Sequence, residues 1–236
     1  MYIEDRILNA IMQHAEREFP NECCGVVIND SGVLQYIESV NLSPYPDNSF
    51  VLNPVLLAQH NSRIELIVHS HPNRSAKPSE ADMAGCERCK IPYLIVSYPA
   101  GDIQCYRPKG YRPNLSGRPF VYGVFDCFAL VRDYYAYELN IMLPDRERPA
   151  YGWWQSHDES CLIADYKKWG FEKVDDLRPG DVIVMQLQAV VPNHVAVYLG
   201  DGIILHHTLN GLSGHEQYGN YWRKNTICYL RHNERD

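Results

Sequence analysis

Residues 65–82 read ELIVHSHPNRSAKPSEAD, and this stretch decides how the first half of the chain folds. Leu66-Ile67-Val68 is a short unbroken apolar run, the mark of a strand buried on both faces. Alternate residues of a strand point to one side, so His69 and His71 can reach a common point. The strand is expected over Glu65–Ser70, and Ser79-Glu80-Ala81-Asp82 has the form of a capping box that starts a helix with Asp82 in its first turn. Two imidazoles and one carboxylate leave a fourth position open for water on a tetrahedral zinc ion (Zn2+), as in catalytic sites. Such an ion lowers the pKa of its water to about 7 and polarises a carbonyl. A base is still required, and Glu22 in PNECCG (20–25) is the candidate. Ser79 can either donate to an oxyanion or orient a ligand.

Around this stretch the first half alternates helix and strand. Ile3, Ile7, Leu8, Ile11 and Ala15 form a helical stripe over 3–18. Strands are expected at 24–29 and 33–40, joined by Asp30-Ser31-Gly32, and Asn53-Pro54 opens a second helix. Two further strands follow at 92–97 and 102–107. Cys86 and Cys89 share a face of the helix begun at Ser79, and Cys23-Cys24 sit on a strand. All four read as structural thiols, since no second pair stands at zinc-ribbon spacing.

The segment RPKGYRPNLSGRP (107–119) has four basic residues, three prolines and two glycines and no apolar periodicity. It reads as a linker over 108–118, between domains at 1–107 and 119–236; contact of its basic residues with an acidic partner is the weaker alternative. The second half opens with a helix in FDCFALVRDYYAYEL (125–139) and continues with strands at 182–187, 194–199, 203–207 and 226–230. Both halves are thus of α+β class.

Cys127 stands at the start of that helix, where the N-terminal partial charge favours a thiolate. His194 opens one strand and His206-His207 close the next. A three-residue Gly200-Asp201-Gly202 loop pairs Ala196 with His206 and puts His206 on the face of His194; a two-residue turn would bring in His207 instead. The three-residue loop, and hence His206, is the expectation. Trp153-Trp154 can line a cleft, although such residues more often pack in a core.

Composition limits the functions available. The 236 residues carry a net charge of −7, 45% hydrophobic and 22% charged residues, which suits a folded globular chain and argues against a basic nucleic-acid-binding surface. No apolar run approaches the roughly 18 residues of a membrane span. The opening MYIEDRILNA lacks the apolar core of an export signal, so an intracellularly made chain with reduced thiols is expected.

The set Glu22, His69-x-His71 and Asp82 ten residues on, with Ser79 between, resembles the JAMM metallopeptidases over 1–107. That resemblance implies a mixed sheet with flanking helices, zinc held by His69, His71 and Asp82, Glu22 as general base and Ser79 as a transition-state donor. The order FDC, LRPGDVIVM (177–185), HVAVYLG (194–200) and IILH (203–206) resembles the NlpC-type cysteine peptidases, papain-like enzymes that cleave peptidoglycan stem peptides. It implies Cys127 as nucleophile, His194 as base and His206 as the orienting residue. Two departures stand out: Phe128-Ala129 replaces the usual Ser-Gly after the nucleophile, and Phe120 replaces a tyrosine upstream, for which Tyr122 is the candidate stand-in. The two halves in this order resemble a family of bacteriophage tail-tip proteins. By that resemblance the chain is a virion component that acts on stem peptides at the host cell wall and contacts other tail-tip proteins. The competing expectations are an assembly factor, or a protease that trims another tail protein. A ubiquitin-type isopeptidase is suggested by the first half alone.

Overall fold

In the computed structural model, which describes residues 3–146, 148–156 and 160–235, the chain divides into two compact units, 1–113 and 114–236. In the first unit the stripe on α1 (Asp5–Glu18) is buried at Ile7, Ile11 and Ala15. Strands β1 (Cys24–Asp30) and β2 (Val33–Ser39) form a hairpin. Helix α2 (Pro54–His60) is capped by Asn53, whose side chain accepts from Val55 N at 2.9 Å. Then come β3 (Ile64–Pro72), α3 (Glu80–Cys89), β4 (Tyr93–Tyr98) and β5 (Ile103–Tyr106). The sheet order is β2-β1-β3-β4-β5, with β3 and β4 parallel because α3 carries the chain across between them.

Strand alternation sorts this core into two layers. Val27, Leu66, Val68, Leu94 and Val96 pack with α1. Val26, Ile28, Ile67 and Ile95 point the other way and pack with Cys86 of α3. By the same alternation His69 and His71 share the α3 side with Ile67. Gly25 is required where β1 meets β2, because a Cβ there would collide with the Ile37 carbonyl and the Tyr36 ring.

The second unit places α4 (Cys127–Glu138) against an antiparallel sheet. Its strands are β6 (Phe171–Val174), β7 (Val182–Met185), β8 (His194–Gly200), β9 (Ile203–His206), β10 (Gly214–Gln217) and β11 (Thr226–His232), with α5 (Asn220–Lys224) before the last. The order is β10-β9-β8-β7-β11-β6. Leu130, Val131 and Tyr135 of α4 pack on Val184, Val195, Val197 and Leu205. The opposite face, with Ile183, Ala196 and Ile204, packs on Trp222 of α5.

Two expectations need correction. The β8–β9 connection is a two-residue turn, Asp201-Gly202, with both φ positive (51° and 73°). Gly200 pairs with Ile203, and a bulge at Leu199 restores the register, so Ala196 still faces His206. The expected pairing is thus reached by a different turn. The 108–118 segment, in turn, is pinned rather than solvated throughout. Backbone N–H groups of Lys109 and Tyr111 donate to Glu87 Oε1 at 2.5 and 3.0 Å within the first unit. Arg118, 1% exposed, donates to Asp133 Oδ2 at 2.6 Å and its backbone N–H to Ser213 Oγ at 3.0 Å within the second.

Candidate active sites

In the first unit His69, His71 and Asp82 are all buried, and one ligand atom from each lies within 4.8 Å of the others. Strand β3 sets the two imidazoles on one face; the capped start of α3 brings in the carboxylate. Both bonds of the capping box form, with Asp82 N donating to Ser79 Oγ at 3.1 Å and Ser79 N to Asp82 Oδ2 at 2.7 Å. The Ser79 hydroxyl also donates to Asp82 Oδ2 at 2.7 Å. Of its two expected roles, the orienting one matches this geometry.

The protons around the cluster are tightly constrained. His71 Nδ1 donates to the Ser75 carbonyl at 2.8 Å, which turns its Nε2 toward His69 Nε2 (3.2 Å) and Asp82 Oδ2 (3.3 Å). His69 Nε2 is 3.2 Å from Asp82 Oδ1, and His69 Nδ1 is buried without a partner. Two nitrogens and a carboxylate crowded around one point match a cation held by N, N and O donors, so the residues present fit a divalent metal. Burial opposes the charge on Asp82, yet His69, His71 and the Ser79 hydroxyl hold its carboxyl well below the ordinary range. Burial likewise opposes a charged His71, but its bonds to Asp82 and the Ser75 carbonyl prevail and raise its pKa.

Glu22, 2% exposed, is close enough to feel the charges of His69, His71 and Asp82. Burial raises its pKa, with the two imidazoles and Arg74 pulling the other way. Arg74 Nη2 donates to Glu22 Oε1 at 2.7 Å and Nη1 to Asn48 Oδ1 at 2.9 Å. Arg74 escaped the sequence reading; the one available signal was a guanidinium three residues beyond His71, inside the loop between strand and helix.

The second site sits in a cleft of about 530 Å³ lined by Cys127, Trp153, Trp154, His194, His207 and Trp222 among others. Asp126 caps α4, accepting from Ala129 N at 2.7 Å, and is itself held by Arg148 at 2.7 Å. The Cys127 thiol lies against the backbone of Val195, the residue after His194 in β8, and both Cys127 and His194 line the cleft. His194 Nε2 is 3.2 Å from His206 Nδ1. His207 instead turns its ring edge-on to Phe120, and neither of its ring nitrogens has a hydrogen-bond partner. Tyr122 OH, considered as a stand-in for the missing tyrosine hydroxyl, donates to the Pro149 carbonyl at 2.8 Å.

The electrostatics reverse one expectation. Burial pushes the Cys127 thiol up to about 12, the Asp126 carboxylate adding to it, and this outweighs the helix N-terminus. Burial pushes His194 down to about 3, with His206 and His207 in support. The resting pair is therefore neutral. Glu216, which no motif in the sequence singles out, has its Oε2 3.0 Å from His206 Nε2. Cys86, Cys89, Cys23 and Cys24 belong to no metal-binding group among the described residues.

The fold and the two sites define a two-domain protein, a JAB-type unit followed by an NlpC/P60-type unit. The sequence model described as prokaryotic homologs of the JAB domain matches residues 4–109, and that of the NlpC/P60 family matches 117–231. A JAB1/MPN domain protein from Archaeoglobus fulgidus aligns with 48% of this chain and 95% of its own, at 26% identity and a TM-score of 0.35. The chain is 38% identical to the tail tip assembly protein K of Escherichia phage N15, over 98% of this chain and 96% of that protein. It is 36% identical to the tail tip assembly protein K of Escherichia phage lambda, over 75% and 86%. It belongs to the tail tip assembly protein K family. Among the described residues no helix is long and apolar enough to cross a membrane.

Proposed function

We propose that this protein is a tail-tip peptidase that cleaves stem peptides of bacterial peptidoglycan at two chemically independent sites. The observation that carries the reading is that each unit gathers a set of reacting groups: two buried imidazoles and a carboxylate in one, a half-buried thiol on the same cleft as a buried imidazole pair in the other. Docking alone gives no reason to bury polar groups at this cost.

In the first unit His69, His71 and Asp82 would hold zinc. When bound there, zinc supplies polarisation of the scissile carbonyl and a water acidified toward pH 7. Ser79 holds Asp82 Oδ2, which fixes the carboxylate plane and turns Oδ1 toward His69 Nε2, 3.2 Å away. Glu22 Oε1 is held by Arg74, which leaves Oε2 to take a proton from the attacking water and return it to the leaving amine. Arg74 favours the ionised form that this role requires.

In the second unit His194 takes the Cys127 proton as sulfur attacks the carbonyl carbon, and then delivers it to the departing amine. A neutral resting pair suits this order, because charge separates only once substrate has displaced water. The aromatic walls, with Trp153, Trp154 and Trp222, provide a surface for the peptide. The partners are peptidoglycan and neighbouring tail-tip proteins, and the place of action is the host wall.

Release of dye from labelled peptidoglycan sacculi by the purified full chain tests the reading. Release is expected to fall in part with a chelator, in part with a thiol-alkylating reagent, and completely with both. No release under any condition favours a tail-tip assembly factor, as the names of the phage relatives suggest.

A further inference from the structure

The imidazole pair does not end at His206. Strand β10 pairs with β9 so that Gly214 faces His206 and Glu216 faces Ile204. Glu216 is therefore the diagonal same-face neighbour of His206, within reach of a long side chain. Its two carboxylate oxygens are both used: Oε2 lies 3.0 Å from His206 Nε2, and Oε1 accepts from Trp222 Nε1 at 2.9 Å. Trp222 in turn stands edge-on to the His206 ring, with centroids 4.6 Å apart at 85°.

These bonds fix where every proton sits. A carboxylate only accepts, so His206 Nε2 carries hydrogen. A neutral His206 then has its lone pair on Nδ1, and His194 can bond to it only by donating from Nε2. The remaining lone pair of the relay is on His194 Nδ1, and that atom is left to take a proton from Cys127. Burial, which lowers the pKa of both His194 and His206, keeps the pair neutral near pH 7.

We propose that Glu216 is a positioning residue for the thiol site: through His206 it sets His194 in the Nε2–H tautomer, and through Trp222 it ties that relay to the wall of the cleft. The proposal rests on Cys127 and His194 as nucleophile and base. Without Glu216 the His206 ring is free to carry its proton on Nδ1, and His194 Nε2 then becomes the acceptor. His194 would hold its hydrogen on Nδ1, where it cannot serve as base. A carboxylate that fixes an imidazole tautomer in this way has large kinetic weight in hydrolases.

The test is ring 15N NMR of histidine-labelled full-length protein at pH 7.5, alongside the rate of Cys127 alkylation by iodoacetamide. In the unsubstituted chain both His194 and His206 should show Nε2–H tautomers. Glu216→Ala should move His206 toward Nδ1–H and slow alkylation by about tenfold. Glu216→Gln, whose one amide oxygen can accept from His206 but whose NH2 then has to turn from the Trp222 N–H, should restore the tautomers in part and give an alkylation rate between those of Glu216→Ala and the unsubstituted chain. Unchanged tautomers and rates in Glu216→Ala would overturn the proposal, as would a Glu216→Gln variant no better than Glu216→Ala. Neither readout needs peptide cleavage. An intact relay in a chain that releases nothing from sacculi would count against the peptidase reading and leave this one standing.

Discussion

His71 donates through Nδ1 to the Ser75 carbonyl, and this bond aims its other nitrogen at His69, 3.2 Å away. An acceptor on the far side of the ring fixes both the tautomer and the orientation of a metal-binding imidazole. Elemental analysis should find close to one zinc per chain. In His71→Ala it should fall at least tenfold, since two protein ligands rarely retain a catalytic zinc. Zinc retained in that variant would point to the cysteines instead.

Arg74 opposes the effect of burial on Glu22 and so favours the charged carboxylate. Its removal should raise the Glu22 pKa further. The acid limb of the chelator-sensitive activity should then shift to higher pH in Arg74→Met, while the alkylation-sensitive activity keeps its profile. A pH–rate comparison of the two activities checks this.

The Cys127 thiol is held protonated by burial and by Asp126. Its alkylation should therefore accelerate as pH rises from 6 to 9, with no plateau of reactivity at mildly acidic pH. His194→Ala should slow it across that range. Rate against pH, followed by peptide mapping, reads the result; a fast plateau near pH 5 would mean a preformed thiolate.

How much of this was legible in the sequence depended on whether a residue's role is local. His69 and His71 are fixed by strand alternation, Asp82 by a capping box that the letters spell out, and His206 by a short hairpin. Each of these rests on contacts a few residues apart. Glu216 acts through pairing of β10 with β9, and GHEQ has neither the alternation nor the apolar residues that announce a strand. Arg118 lies in a stretch whose prolines and glycines read as solvated, yet its guanidinium is buried against Asp133, fifteen residues on. The Cys127 environment was misjudged because a helix N-terminus is visible in sequence, whereas the depth of burial that outweighs it is not.

Asp181, 0% exposed, receives Arg231 at 3.0 and 2.7 Å and Arg235 at 2.9 Å, and it anchors the entry to β7. Asp181→Ala leaves the buried Arg231 with only the Asp176 carbonyl at 2.8 Å and its carboxylate at 3.5 Å, and should destabilise the second unit by about 3 kcal/mol. Thermal denaturation should show that loss, with zinc binding by the first unit unaffected.

His194 and His207 are held neutral, with pKa values near 3 and 4 against an ordinary 6.5. Because the folded values are lowered, the unfolded chain binds more protons between them and 6.5. Stability of the second unit should therefore be fully present above about pH 7 and fall as pH drops toward 4. Denaturant titrations at pH 7.5 and 5 measure it, and His207→Ala should flatten the dependence.

Whether both units break peptide bonds is read from the mass spectrum of peptidoglycan fragments. Purified peptidoglycan would be digested with the unsubstituted chain, His71→Ala, Cys127→Ala and the double variant. Shortened stem peptides are expected with the unsubstituted chain, a different product should disappear in each single variant, and the double variant should release no shortened peptides. Fragments identical to the enzyme-free control in the unsubstituted chain, or unchanged products in the double variant, would contradict cleavage by both units.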